Sequence, residues 1–243
     1  MKRALTVDLW DTLIYDLPEV DRARRDLRLT VIGKLLKQAA GYDFQKHWDR
    51  MLAAYETSWQ RLEQTWQTDQ EIVPAEQLKM YLDILFENKV PNNLPEEKLL
   101  NAYLEPILDY LPFLMPEAKE TLAWLKRRGW KLGLISNTGR TSGVYLRQVL
   151  QMHGVFELFD TFSFSDEFGW RKPNPAIFER TLDRLDASSQ KSFHLGDNWR
   201  ADIQGAQKIG LNPLWFCRNG ERASDPTVKL VKHWPELEFL LQG

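Results

Sequence analysis

A chain of 243 residues, 43% hydrophobic and 27% charged, can bury a sizeable core, which excludes a disordered, collagen-like or coiled-coil chain. Lys and Arg number 32 against 34 Asp and Glu, a formal net charge of −2, so there is no electrostatic footprint for nucleic acid or an anionic membrane. The single cysteine, Cys217, excludes an internal disulfide or a cysteine metal site, and no stretch approaches the roughly 20 apolar residues of a membrane-spanning helix, so a cytoplasmic location is expected.

The first predicted element is a short strand, Ala4-Leu5-Thr6-Val7, ending at Asp8. Asp8 and Asp11 interrupt the apolar run behind Met1-Lys2-Arg3 too early for a signal sequence. A helix follows over 18–40 and stops at Gly41. Its Arg22, Arg24, Arg25 and Arg28 alternate with Asp21 and Asp26, the pattern of a solvated face, or of one arginine clamping a substrate anion. Asp43 is the expected N-cap of the next helix. There Trp48, Met51, Tyr55, Trp59, Leu62 and Trp66 recur at steps of three and four and should line one packed face. Two further helices are predicted near 74–88 and 95–109, each introduced by a proline.

After Pro112 the rhythm changes. Helices at 116–128, 142–152, 175–185 and 200–209 alternate with strands at 130–135, 161–164, 192–195 and 213–217. Such alternation implies an α/β fold: a Rossmann-like parallel sheet with helices on both faces, binding its ligand at the carboxyl ends of the strands. The helical stretch 16–112 is expected to be a separate cap domain inserted after the first strand, leaving 1–15 and 113–243 as the core. The cap carries no substrate motif, and nothing in the sequence signals an oligomeric state.

Polar residues gather at the predicted strand ends. The first strand runs into Asp8-Leu9-Trp10-Asp11-Thr12, the second into Ser136-Asn137-Thr138-Gly139. Arg171-Lys172-Pro173-Asn174-Pro175 follows the third, and Gly196-Asp197-Asn198-Trp199-Arg200-Ala201-Asp202 ends the fourth. At one sheet edge these supply a carboxylate nucleophile, hydroxyl and amide donors, a cation and further acids. Acids beside a lysine are a poor anion site alone, and Mg2+ shared with a substrate phosphate resolves the conflict.

These four segments, in this order, resemble the haloacid dehalogenase-like hydrolase superfamily with a helical cap after the first strand. The resemblance implies that Asp8 attacks phosphorus to give an aspartyl-phosphate. It implies that Thr12, Ser136 and Asn137 hold the phosphoryl group and that Lys172 neutralises charge. Asp8, Asp197 and the backbone carbonyl of Trp10 would hold Mg2+, and Asp202 would support the metal shell or Lys172. The partner implied is a small phosphorylated substrate.

The first motif departs from the usual Asp-x-Asp-Gly-Thr. Trp10 stands where the second Asp protonates the leaving group, and Asp11 comes one place later. Loss of such proton transfer costs about 10²- to 10⁴-fold in rate. Either Asp11 or a cap group substitutes as acid and base in a phosphatase, or Asp8 attacks carbon as in 2-haloacid dehalogenases, or the protein only binds a phosphorylated ligand or partner. The paired acids Asp197 and Asp202 favour a metal, and so phosphate, because they would repel a haloacid's carboxylate.

Ten tryptophans complete the pattern. Trp48, Trp59 and Trp66 are expected in the packing of the cap, and Trp124, Trp130, Trp215 and Trp234 in core elements and the tail. Trp10, Trp170 and Trp199, each in or beside a strand-end motif, are expected to form an aromatic wall around the phosphate site and to provide its substrate-contacting side chains, Trp10 first. His194 is expected to be a satisfied core histidine, and Cys217 a small buried hydrophobe.

Overall fold

The strand Ala4–Val7 (β1) is buried along its whole length, as its largely apolar run requires, with the Thr6 hydroxyl meeting His194 Nδ1 at 2.8 Å. This computed structural model describes residues 2–217 and 225–242. Around β1 lie Lys131–Ser136 (β2), Thr161–Phe164 (β3), Phe193–Gly196 (β4), Asn212–Phe216 (β5) and Lys229–Val231 (β6). They form one sheet in the order β3-β2-β1-β4-β5-β6, every pair parallel. β6 is an edge strand of three residues, too short to register as a periodic pattern.

The chain leaves β1 toward β2 on one side and β4 on the other, so a crevice opens at their carboxyl ends. There the Asp8 amide donates to the Leu195 carbonyl at 2.9 Å, carrying the ladder one residue past β1. Side-chain alternation divides the core. Leu5, Val7, Leu132 and Leu134 face one apolar layer with Leu122 and Leu125 of the helix Ala118–Arg127. Ala4 and Ile135 face the opposite layer with Ile177, Phe178 and Leu182 of a helix over Pro175–Leu185.

Between β1 and β2 the chain rises into helices Pro18–Ala40 (α1), Trp48–Trp66 (α2), Pro74–Leu85 (α3) and Glu96–Leu104 (α4). It enters through Ile14–Tyr15 and returns through Phe113–Leu114, which pair antiparallel. The helices bury their own apolar cluster, including Leu29, Ile32, Met51, Tyr81, Leu99 and Tyr103. α1 ends as the sequence predicts, on Gly41 at φ 66°, whose amide closes on the carbonyls of Leu36 and Lys37.

Several predicted helices are shortened. α2 begins at Trp48 rather than after Asp43, because residues 44–47 form turns. The helix predicted over 95–109 breaks before Pro106, which lacks the N–H an α-helix interior needs. The helix predicted over 200–209 is a π-helical turn, Trp199–Gln204, followed by a single α-turn, Gly205–Gln207.

Candidate active site

Asp8 follows β1 directly and is only 6% exposed. Thr12 donates its hydroxyl to one carboxylate oxygen at 3.2 Å, and Lys172 Nζ donates to the other. Burial pushes the Asp8 carboxyl up to about 7, with Lys172 pulling it down and Asp202 pushing it up. Thr12, fully buried, therefore holds the carboxylate in place from beneath.

Lys172 is fixed from several directions. Its backbone N–H donates to Asn137 Oδ1 at 2.8 Å, and Asn137 Nδ2 donates to its carbonyl at 3.0 Å. Its ammonium donates to the Ile135 carbonyl at 3.0 Å and lies 2.6 Å from Asp202 Oδ1. Burial alone would lower the Lys172 pKa, but Asp202 and Asp8 raise it above the ordinary value, so the ammonium stays charged.

Asp202 is reached by a second chain of contacts. His194 Nε2 meets its Oδ1 at 3.0 Å, and the Asn198 amide donates to its Oδ2 at 3.0 Å. Burial holds His194 below its usual pKa, so the ring is neutral, with Nε2–H donating to Asp202 and Nδ1 accepting from Thr6 at 2.8 Å. Burial opposes ionisation of Asp202, but Lys172 and His194 still hold it down to about 2. Gly196 makes this possible, since a Cβ there would overlap the Asp202 side chain. His194 is thus satisfied, as expected, and it also aims Asp202.

Asp197 lies beside this group. Asp8, Asp197 and Asp202 each offer an oxygen within 4.8 Å of the others'. Burial pushes Asp197 up to about 8, reinforced by the charges of Asp8, Asp202 and Asp11. Three carboxylates against one lysine leave a deficit of positive charge, which a hard divalent cation on Asp8 and Asp197 would fill. Asp202 fits that role less well, because Lys172, His194 and the Asn198 amide already engage its oxygens. Asp11 sits exposed on the turn at φ 57°, its amide donating to the Ile14 carbonyl at 2.7 Å. At the end of β2, Ser136 is fully buried and its Oγ has no hydrogen-bond partner among the described residues.

Above these strand ends a cleft of about 760 Å³ runs between α1, α2 and the loop 137–141. The aromatic wall differs from the predicted one. Trp170 is 41% exposed, and Trp199 packs edge-on against Trp215 at 5.0 Å. The wall is Trp10 with Trp59 and Trp66 of α2, the latter two edge-to-face at 5.0 Å. Trp59 and Trp66 therefore turn toward the cleft instead of packing in the helical core, while Trp48 packs as expected. Arg24 and Arg28, predicted on a solvated face, are buried at the cleft. Arg24 is bidentate to Asp16 at 2.6 and 2.8 Å.

Several supporting contacts join residues far apart in sequence and leave no local signal. Trp234 Nε1 donates to the Thr12 carbonyl at 3.0 Å, and Trp215 Nε1 donates to the Asp197 carbonyl at 2.7 Å. Two tryptophans read only as strand and tail residues thus brace both acidic loops. Glu71, in the loop between α2 and α3, has a fully buried side chain. It accepts from Arg171 at 2.6 Å, from Trp66 Nε1 at 2.9 Å and from Ser165.

A family model described as haloacid dehalogenase-like hydrolase matches residues 2–210. The chain is 34% identical over 112 residues to "Haloacid dehalogenase-like hydrolase domain-containing protein 3" of Bos taurus, covering 46% of this chain and 42% of that one. It is 36% identical over 101 residues to "Glyceraldehyde 3-phosphate phosphatase" of Methanothermobacter thermautotrophicus, covering 41% of this chain and 42% of that one. These matches thus span less than half the length of either relative. Among solved structures, a 2-haloacid dehalogenase from Pseudomonas syringae superposes with a TM-score of 0.69 at 18% identity, covering 100% of this chain and 99% of that one, a likeness of fold.

Proposed function

The chain belongs to the haloacid dehalogenase-like hydrolase family, and from that premise we propose a Mg2+-dependent phosphatase of a small phosphorylated molecule, with Asp8 as the nucleophile. In this reading 1–15 and 113–243 are the core and 16–112 is the cap. The observation that carries it is Asp8 crowded by Asp197 and Asp202 with only Lys172 to offset them. Such a site repels a free carboxylate substrate and suits a cation carrying a phosphate. The relative named for glyceraldehyde 3-phosphate supports a small phosphate ester as substrate.

Asp8, Asp197 and the Trp10 carbonyl would hold the metal. When bound, Mg2+ supplies the positive charge that keeps Asp8 and Asp197 ionised and offsets charge on the phosphoryl oxygens. The chain's own residues do the rest. Thr12 and Lys172 fix the two Asp8 oxygens, so the carboxylate meets phosphorus without first losing rotational freedom. Attack forms the Asp8–phosphorus bond and breaks the ester bond. The Ser136 hydroxyl, without a partner among the described residues, and the backbone at Asn137 are the donors for phosphoryl oxygens at the end of β2, while the Thr138 amide already donates to Ser165 Oγ at 2.9 Å. Asp202 acts on Lys172, setting the ammonium against Asp8. Water then attacks phosphorus, releasing inorganic phosphate and regenerating Asp8.

Trp10 cannot protonate the departing alkoxide, so the proton comes from Asp11 or from solvent. The same tryptophan favours a second reading, attack of Asp8 on carbon. One panel separates the two: phosphate esters and 2-chloropropionate, each with and without Mg2+. Phosphate release that requires Mg2+ is the expected result. Chloride release without metal would replace the proposal with the second reading.

A further inference from the structure

We propose that the cleft binds a second anionic group of the substrate, a carboxylate or a second phosphate, on Arg28 and Arg140; this rests on the phosphatase reading and names its substrate class. Arg28 of α1 is 3% exposed. Its Nε donates to the Tyr103 carbonyl at 2.5 Å and its Nη1 to the Tyr55 hydroxyl at 2.5 Å. Arg140, in the loop after β2, donates from Nη2 to the Tyr55 carbonyl at 2.8 Å. Its guanidinium lies 3.5 Å from the Tyr55 ring centre and 4.5 Å from that of Trp59. The two cations thus converge on Tyr55 from different lobes, and both line the cleft. Burial raises the Tyr103 phenol pKa while Arg140 and Arg28 both pull against it, a second sign of their convergence.

Neither guanidinium has a carboxylate partner among the described residues. The neighbouring buried arginines do: Arg24 pairs with Asp16 and Arg171 with Glu71. Arg28 and Arg140 are held only by carbonyls, a phenol and ring faces, which orient a cation without neutralising it. The Arg140 Nε is buried with no well-formed hydrogen bond among the described residues, and the guanidinium lies within reach of the Tyr103 phenol. For the buried Arg28 guanidinium this state is costly, and an anion arriving in the cleft beside it and the half-buried Arg140 removes the cost. The acids of the cleft do not fill the place. Glu63 accepts from the Trp59 indole, and Asp21 and Glu56 are exposed to screening solvent. The cleft also passes Asn137 and Thr138 beside Ser136, so one ligand can reach from the phosphate site to the arginines. Its volume suits a small two-headed molecule.

The test is the ratio of kcat/KM within matched pairs: glycerol 3-phosphate against 3-phosphoglycerate, phenyl phosphate against 4-carboxyphenyl phosphate, and fructose 6-phosphate against fructose 1,6-bisphosphate. The doubly anionic member of at least one pair is expected to be favoured by about tenfold or more, chiefly through KM. Arg140→Gln should bring that ratio to near one, and Arg140→Lys should retain part of it. Because each ratio is taken within one protein, partial misfolding does not shift it. Preference confined to the first two pairs assigns a carboxylate, and to the third a second phosphate. Turnover of the esters with a ratio near one, or a ratio unmoved by Arg140→Gln, overturns this inference and leaves the phosphatase reading standing. No turnover of any ester with Mg2+ defeats that reading, and this inference with it.

Discussion

Three carboxylates share one ammonium at the carboxyl edge of the sheet, and that imbalance sets how the site answers pH and metal. Asp8 and Asp197 titrate at about 7 and about 8, against 3.8 for a free aspartate, so the metal-free folded protein binds more protons than the unfolded chain across that window. Their contribution to stability therefore falls as pH rises from about 4 to about 8. Asp202, held at about 2, works in the opposite sense: its contribution is present above about pH 4 and lost as pH falls toward 2. Metal-free protein should melt at a lower temperature at about pH 8 than at about pH 5.5, and Mg2+ should raise the melting point more at the higher pH. Equal Mg2+ shifts at both pH values would contradict this. Trp10 leads to a second expectation. Across a series of aryl and alkyl phosphates, kcat/KM should fall steeply as the leaving-group pKa rises. A flat series, made steep by Asp11→Asn, would instead identify Asp11 as the acid. Asp8, Ser136, Lys172 and Asp197 could be read from the sequence because each sits in a contiguous run at a strand end. Their braces, Trp215 and Trp234, could not, because the carbonyls they hold lie 18 and 222 residues away.

At the scale of elements, the loop between α2 and α3 matters most. Glu71 reaches from it to Arg171, the neighbour of Lys172, and to Ser165. Both charged side chains are buried, so removing one partner strands the other. Glu71→Ala should cost roughly 3–5 kcal/mol in urea unfolding. It should also lower kcat, because Arg171 fixes the backbone that carries Lys172. Unchanged stability would show that the pair is not closed in solution. Nothing in the sequence marks Glu71, one of two acids in the loop 67–73. The helices themselves were legible where a cap was present, as at Gly41, and illegible where backbone hydrogen bonding failed. Residues 44–47 coil into turns although Asp43 offers an N-cap, and Pro106 divides what periodicity joins.

Across the whole molecule, alternation of strands and helices was enough to assign the parallel sheet, because a helix between two strands returns the chain to the same edge of the sheet. It did not reveal which way the long helices turn. Trp59 and Trp66 lie on the same stripe as Met51 and Leu62, yet they face the cleft and receive Arg140 and Arg171 on their rings. Only the packing of one lobe against the other separates a core tryptophan from a cleft tryptophan, and that packing is a long-range property. The same packing brings Trp10, two residues after Asp8, and the two arginines without carboxylate partners into the lining of one cleft. The claim on which the rest depends is covalent chemistry at Asp8. Acid-quenched single turnover of a phosphate ester with Mg2+, followed by mass analysis of the peptide containing Asp8, tests it directly. The peptide should carry one added phosphoryl group in the wild type and none in Asp8→Asn, which should lose turnover while remaining folded. Phosphate release persisting in Asp8→Asn, with no adduct in the wild type, would contradict the account.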